Sequence, residues 1–281
     1  EWAMAKGMQL NAENVISFSS QTIPILAILR KNLLENRKTQ ILYTGELPAC
    51  FNAEKVKRVY AYEFELKKVE NGTMVSAFEG STIFIEQQSK ISTESFNENV
   101  DFHINLYEGL GSVLLIKDTK NVSDIQHVRR RETIAMTPAN CLVALNALVA
   151  EAAFEKLKSN VIADKKSVED SINKITGTST KALVSSSGLS IQYAILMGLI
   201  DYANENHQGK AIKIIVPTNC YGGTNDQARR VAACIKNVEI VDLAVDGDSD
   251  MVQSINTVLA KIASEDAVPF IIAEIPTNPR V

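Results

Sequence analysis

The sequence predicts an α/β protein with a parallel-sheet domain behind an α+β N-terminal region, and three observations carry that reading. From residue 138 onward, short apolar runs alternate with amphipathic stretches of helical length. That pattern belongs to βαβ units and a mainly parallel sheet with helices on both faces. Residues 1–130 lack the alternation: one helix-like stripe is followed by strand-like runs and polar turns. Finally, 281 residues at 46% hydrophobic and 22% charged supply a sizeable core and more length than one average domain needs. The expected organisation is an N-terminal α+β region at 1–130 and an α/β domain at 131–281.

In the first region, residues 23–36 place Ile25, Leu26, Leu29 and Leu33 on one helical stripe. Tyr60, Tyr62, Phe64 and Leu66 alternate with their neighbours, and Asn71-Gly72 offers a hairpin turn before a second strand-like run. Residues 112–117 read as a short buried strand, and 92–99 as a polar loop. Gly109-Leu110-Gly111 lacks the third glycine of a nucleotide loop and reads as a plain turn. The Arg129-Arg130-Arg131 triplet, followed by Glu132, reads as a solvated or ion-paired face rather than a phosphate site.

In the second region, a helix is expected over 138–158. Another opens at Ser167, with Asp170 completing a capping box and Gly177 beyond its end. Then come a strand at 182–185, a helix at 189–205 and a strand at 212–216. Thr224 opens a helix with Gln227 at the capping-box position. A strand at 238–245, a helix at 250–263 and a strand at 269–274 complete the series.

The formal charge of −4 gives no electrostatic case for nucleic acid or an anionic membrane. No apolar run approaches the roughly 20 residues of a membrane span, and the first residues, EWAMAKGM, carry no signal-peptide pattern. Four dispersed cysteines without a CxxC suit reduced thiols in a cytoplasm. Three scattered histidines form no ligand spacing, so no metal site is expected.

In open parallel sheets, ligands sit beyond the carboxyl ends of the strands, which directs attention to three loops. Ser185-Ser186-Ser187-Gly188-Leu189 joins an expected strand to a long helix. Its small residues and the helix's first N–H groups suit an anion, although such turns also serve as plain caps. Cys220-Tyr221-Gly222-Gly223-Thr224 could lay an aromatic ring over a flat ligand, or be a turn with a half-buried tyrosine. Glu274-Ile275-Pro276-Thr277-Asn278-Pro279 is a strand end stopped by prolines, with Asn278 able to point into a crevice.

Taken in order, S-G-L at Ser187–Leu189, Y-G-G-T at Tyr221–Thr224 and E-x-P-T-N-P at Glu274–Pro279 resemble the Cys/Met-metabolism family of pyridoxal 5'-phosphate (PLP) enzymes. That family includes cystathionine γ-synthase, the cystathionine lyases, methionine γ-lyase and the acylhomoserine sulfhydrylases. The resemblance covers about 165–281 and implies the first part of an aspartate-aminotransferase-like large domain, truncated at Val281. It implies that Gly188 and Leu189 give N–H groups to the cofactor phosphate, with Ser187 beside them. Tyr221 would stack on the pyridine ring and move protons, Asn278 would bond the phenolic oxygen, and Glu274 would brace the site. The implied activity is γ-replacement or elimination on an amino acid of sulfur metabolism, in a cytoplasmic homodimer or homotetramer.

Two features depart from the family pattern. Its cofactor-binding lysine and the aspartate that pairs with the pyridine nitrogen lie beyond the T-N-P motif, and no lysine follows Lys261 here. The upstream stretch that reaches a neighbouring subunit's phosphate corresponds to 156–166, which has no tyrosine, arginine or proline. A non-catalytic fragment or paralogue that keeps the fold for assembly or ligand binding is therefore one alternative, and a PLP aminotransferase a second.

Overall fold

The computed structural model describes residues 1–91, 93, 97–155, 160–245 and 250–274. The chain is mixed α/β and divides into two compact units, 1–53 with 62–191 and 54–61 with 192–281. The change in sequence character near residue 130 thus lies inside the first unit.

In chain order the elements begin α1 (Trp2–Gly7), β1 (Val15–Phe18), α2 (Ile23–Leu34), β2 (Thr39–Tyr43), α3 (Ala53–Tyr60), β3 (Glu65–Lys68), β4 (Ser81–Gln87), β5 (Phe102–Tyr107) and β6 (Gly111–Ile116). The helices α4 (Val122–Glu132), α5 (Pro138–Ala150) and α6 (Val161–Thr176) follow. The six strands form one sheet in the order β1-β6-β5-β4-β2-β3. Pairing is parallel from β3 through β2 and β4 to β5, and antiparallel from β5 through β6 to β1.

The apolar stripe expected at 23–36 forms α2, with Pro24 in its first turn, where a missing N–H costs nothing. α2 packs on α4, and the buried Arg30 guanidinium meets the buried Glu132 carboxylate across that contact. The strand expected at 112–117 is β6, buried along its whole length. Gly109 and Gly111, both at positive φ, close the β5–β6 hairpin, so this pair of glycines is the plain turn its spacing suggested. Arg129 lies on α4 and pairs with Glu1, the ion-paired alternative.

The hairpin expected around Asn71-Gly72 does not form. The turn is present, with Gly72 at φ 76°, but β3 pairs with β2 and β4 pairs with the other edge of β2, both in parallel. The alternation at 60–66 came from aromatic anchoring: Tyr60 ends a helix, while Tyr62 and Phe64 bury their rings from non-strand backbone. The polar loop expected at 92–99 falls largely outside the described residues. The helix expected over 138–158 ends at Ala150. The helix expected at Ser167 begins at Val161, where the Asn160 side chain accepts the Ala163 N–H at 3.2 Å, a stronger start than the interior Ser167. Gly177 ends it at φ 67°, as its position suggested. No strand forms at 182–185.

The remaining elements are α7 (Gly188–Asn206), β7 (Ile212–Pro217), α8 (Gly222–Ala232), β8 (Val238–Leu243), α9 (Met251–Ser264) and β9 (Val268–Ile271). They follow the expected alternation, and the boundary between the units falls within α7. The second unit's sheet has the order β8-β7-β9, parallel throughout. α8 packs on β7 and β8, and α9 on β8 and β9. Val238, Ile215, Leu243 and Ile262 are buried between these layers. Among the described residues, no helix is long and apolar enough to cross a membrane.

Candidate functional site

The chain passes from β7 to β8 on one side of β7, then returns to place β9 on the other. The strand order therefore reverses at β7, and the crevice at such a reversal, beyond the carboxyl ends, is where open α/β sheets bind ligands. Tyr221 lies in the loop that leaves the carboxyl end of β7, and Glu274 lies three residues past the end of β9. The two are brought together: the Tyr221 N–H donates to Glu274 Oε2 at 2.9 Å. The Thr224 hydroxyl donates to Glu274 Oε1, and Gln192 Oε1 lies 3.3 Å from the same hydroxyl.

This geometry corrects the expectation that Thr224 opens a helix. α8 begins at Gly222 with Tyr221 as its N-cap residue, and Thr224 lies within the first turn. Glu274 supplies the capping carboxylate from a strand end 53 residues away. A carboxylate at a helix N-terminus is stabilised by the helix dipole and by unsatisfied N–H groups, so the α8 N-terminus already holds its anion. Gly223 is buried, whereas the Tyr221 side chain remains 42% exposed. Burial, then the nearby Glu274 charge, push the Cys220 thiol above its ordinary value.

Ser187, Gly188 and Leu189 open α7, as expected from the sequence. Ser187 caps it, its hydroxyl accepting the Ser190 N–H at 3.1 Å, and the Ser186 and Ser187 hydroxyls both bond Ser190 Oγ, at 2.9 and 2.6 Å. Gly188 faces open space: a methyl group built on it would meet nothing within 4 Å. The α7 N-terminus thus carries N–H groups without a side-chain carboxylate cap, unlike that of α8. Asn278 lies outside the described residues.

Sequence reasoning missed Gln192, Ser190 and the capping role of Glu274. The S-x-x-S spacing of Ser187 and Ser190 was a legible cap signal. The tie from Glu274 to Thr224 joins residues 50 apart and has no local signature. Among the described residues, no three His, Cys, Asp or Glu side chains cluster as metal ligands. No known family model matches the chain, and no curated protein matches it either.

Proposed function

We propose that this chain contributes the first part of a PLP-binding domain of the aspartate-aminotransferase-like type. It would serve γ-replacement or elimination on a sulfur-containing or homoserine-derived amino acid. The reading rests on one observation above all. The exposed Tyr221 sits at the carboxyl end of the strand where the sheet order reverses, and Glu274 holds its backbone from the neighbouring strand end. In support, the α7 N-terminus at Gly188 combines an open backbone with a neutral serine cap, the donor set that suits a phosphate.

On this reading, the Gly188 and Leu189 N–H groups bind the phosphate, and Ser187 keeps the helix start rigid. Tyr221 covers the pyridine face with its ring and holds a proton at its phenolic oxygen, while Asn278 bonds the ring oxygen of the cofactor. When bound, PLP supplies the electron sink that stabilises a substrate carbanion.

Absorbance titration of the protein with PLP and with unphosphorylated pyridoxal tests the proposal. PLP should bind saturably, at least about tenfold tighter than pyridoxal, because the phosphate bonds are charge-assisted. Gly188→Asp, which places a carboxylate where the phosphate belongs, should abolish the difference, and Tyr221→Ala should weaken both ligands. Equal affinity for PLP and pyridoxal would overturn the proposal. Keto-acid production from an amino donor would reassign the activity to aminotransfer, and PLP binding without turnover would mark a non-catalytic relative.

A further inference from the structure

One face of the first unit's sheet carries chemistry that packing does not require. β5 turns Phe102, Ile104 and Leu106 to one side, each at most 1% exposed, and His103, Asn105 and Tyr107 to the other. A strand covered on both faces normally reads apolar throughout. Here register sets Phe84 beside His103 and Glu86 beside Asn105 on β4, with Leu115 and Val113 opposite them on β6. Glu86 Oε2 lies 3.3 Å from His103 Nε2. That hydrogen bond holds the Glu86 carboxyl below its ordinary range, against the effect of burial. Burial, and then the Glu86 charge, push the Tyr107 phenol well above its ordinary value. Asn105 is 6% exposed, and its Oδ1 accepts no hydrogen bond from any described residue. Such a buried amide oxygen costs stability until a donor reaches it.

We propose that Glu86, His103, Asn105 and Tyr107 form a second binding site, independent of the PLP reading, whose ligand is a compact primary ammonium group. The lone pairs decide the ligand class. Ionised Glu86 only accepts, the Asn105 oxygen only accepts, and the Tyr107 oxygen has lone pairs to offer. None of the residues in register with His103, Asn105 and Tyr107 on β4 and β6 is cationic, so the acceptors and the negative charge lack an internal counterpart there. An ammonium brings one positive charge and several N–H donors in a small volume, whereas a guanidinium is broad and planar. Glu86 and His103, with side chains 26% and 18% exposed, form the solvent side of the site. Asn105 and Tyr107 form its floor.

The test titrates the full chain with methylammonium chloride at fixed ionic strength, followed by ¹H–¹⁵N signals of histidine rings and asparagine amides. Ammonium chloride and tetramethylammonium chloride run in parallel. Methylammonium should shift the His103 and Asn105 signals saturably, while tetramethylammonium, which has no N–H, should leave them unmoved. The stronger of methylammonium and ammonium identifies the source as an organic amine or the free ion. Glu86→Gln, a shape-preserving change at a partly exposed position, should weaken binding at least tenfold, and Asn105→Leu should do the same. Identical shifts from all three salts would overturn the site, as would undiminished binding by Glu86→Gln. So would an Asn105 signal that contacts only water and ignores every amine.

Discussion

β5 and β7 have the same burial pattern along their six residues, yet their neighbours differ. β5 is flanked by β4 and by a wholly buried β6. β7 is flanked by β8 and β9, whose middle residues are only partly covered or exposed. The difference teaches that a buried central strand does not define a closed core. The first sheet is sealed by its flanking strands, whereas the second rests on one strand and the helices α8 and α9.

The sharpest way to break that comparison is a pair of matched truncations. Ile104→Ala on β5, at a fully buried position, should cost about 2–5 kcal/mol. Ile240→Ala on the partly buried β8 should cost less than half as much, because the transfer cost scales with buried apolar area. Hydrogen exchange resolved by segment measures both, and equal losses would erase the distinction.

A smaller effect separates two glycines at positive φ. Gly111 has φ 125°, and a Cβ there would lie 2.2 Å from the Phe18 carbonyl oxygen. Gly111→Ala should therefore cost about 2–3 kcal/mol through strain in the hairpin. Gly177 has φ 67° with nothing within 4 Å, so Gly177→Ala should cost only the left-handed strain, about 1 kcal/mol. Thermal melts of the two variants give the ranking.

The smallest effect is electrostatic. The His103 hydrogen bond holds Glu86 below the ordinary carboxylate range. Its contribution is fully present above the unfolded value, roughly pH 4–5, and is lost as pH falls through the depressed folded value. With a quarter of the Glu86 side chain exposed, solvent screening limits it to about 0.2–1 kcal/mol. The stability gap between wild type and Glu86→Gln should be largest near neutrality and close below pH 4. A gap that widens on acidification would show that the pair does not stabilise this sheet.

Legibility in the sequence follows the same division. The alternation after residue 188 could be read because each strand and helix there repeats a local period, and β7, α8, β8, α9 and β9 all lie where that period puts them. The first sheet could be read only in pieces such as α2 and β6. Its order depends on β2 pairing with both β3 and β4, a long-range choice that Asn71-Gly72 obscured by imitating a hairpin. At the candidate site, Ser187, Gly188 and Tyr221 were legible as loop residues at helix starts. The hold of Glu274 on α8 was not, since a cap supplied from another strand has no local pattern.

Residues 54–61 belong with 192–281, and this sets the order of events during synthesis. On α3, Lys55 and Arg58 pair with Asp201, and Arg58 also with Glu205, both carboxylates on α7. Asp201 follows Arg58 by 143 residues. At ribosomal rates of about 5–20 residues per second, α3 waits roughly ten to thirty seconds for its partner helix. During that interval Val56 and Val59, both buried in the finished fold, have no α7 beside them. The nascent chain thus has a window, opened by the β2–β3 crossover and closed by the arrival of α7, in which chaperone contact with this short helix matters most.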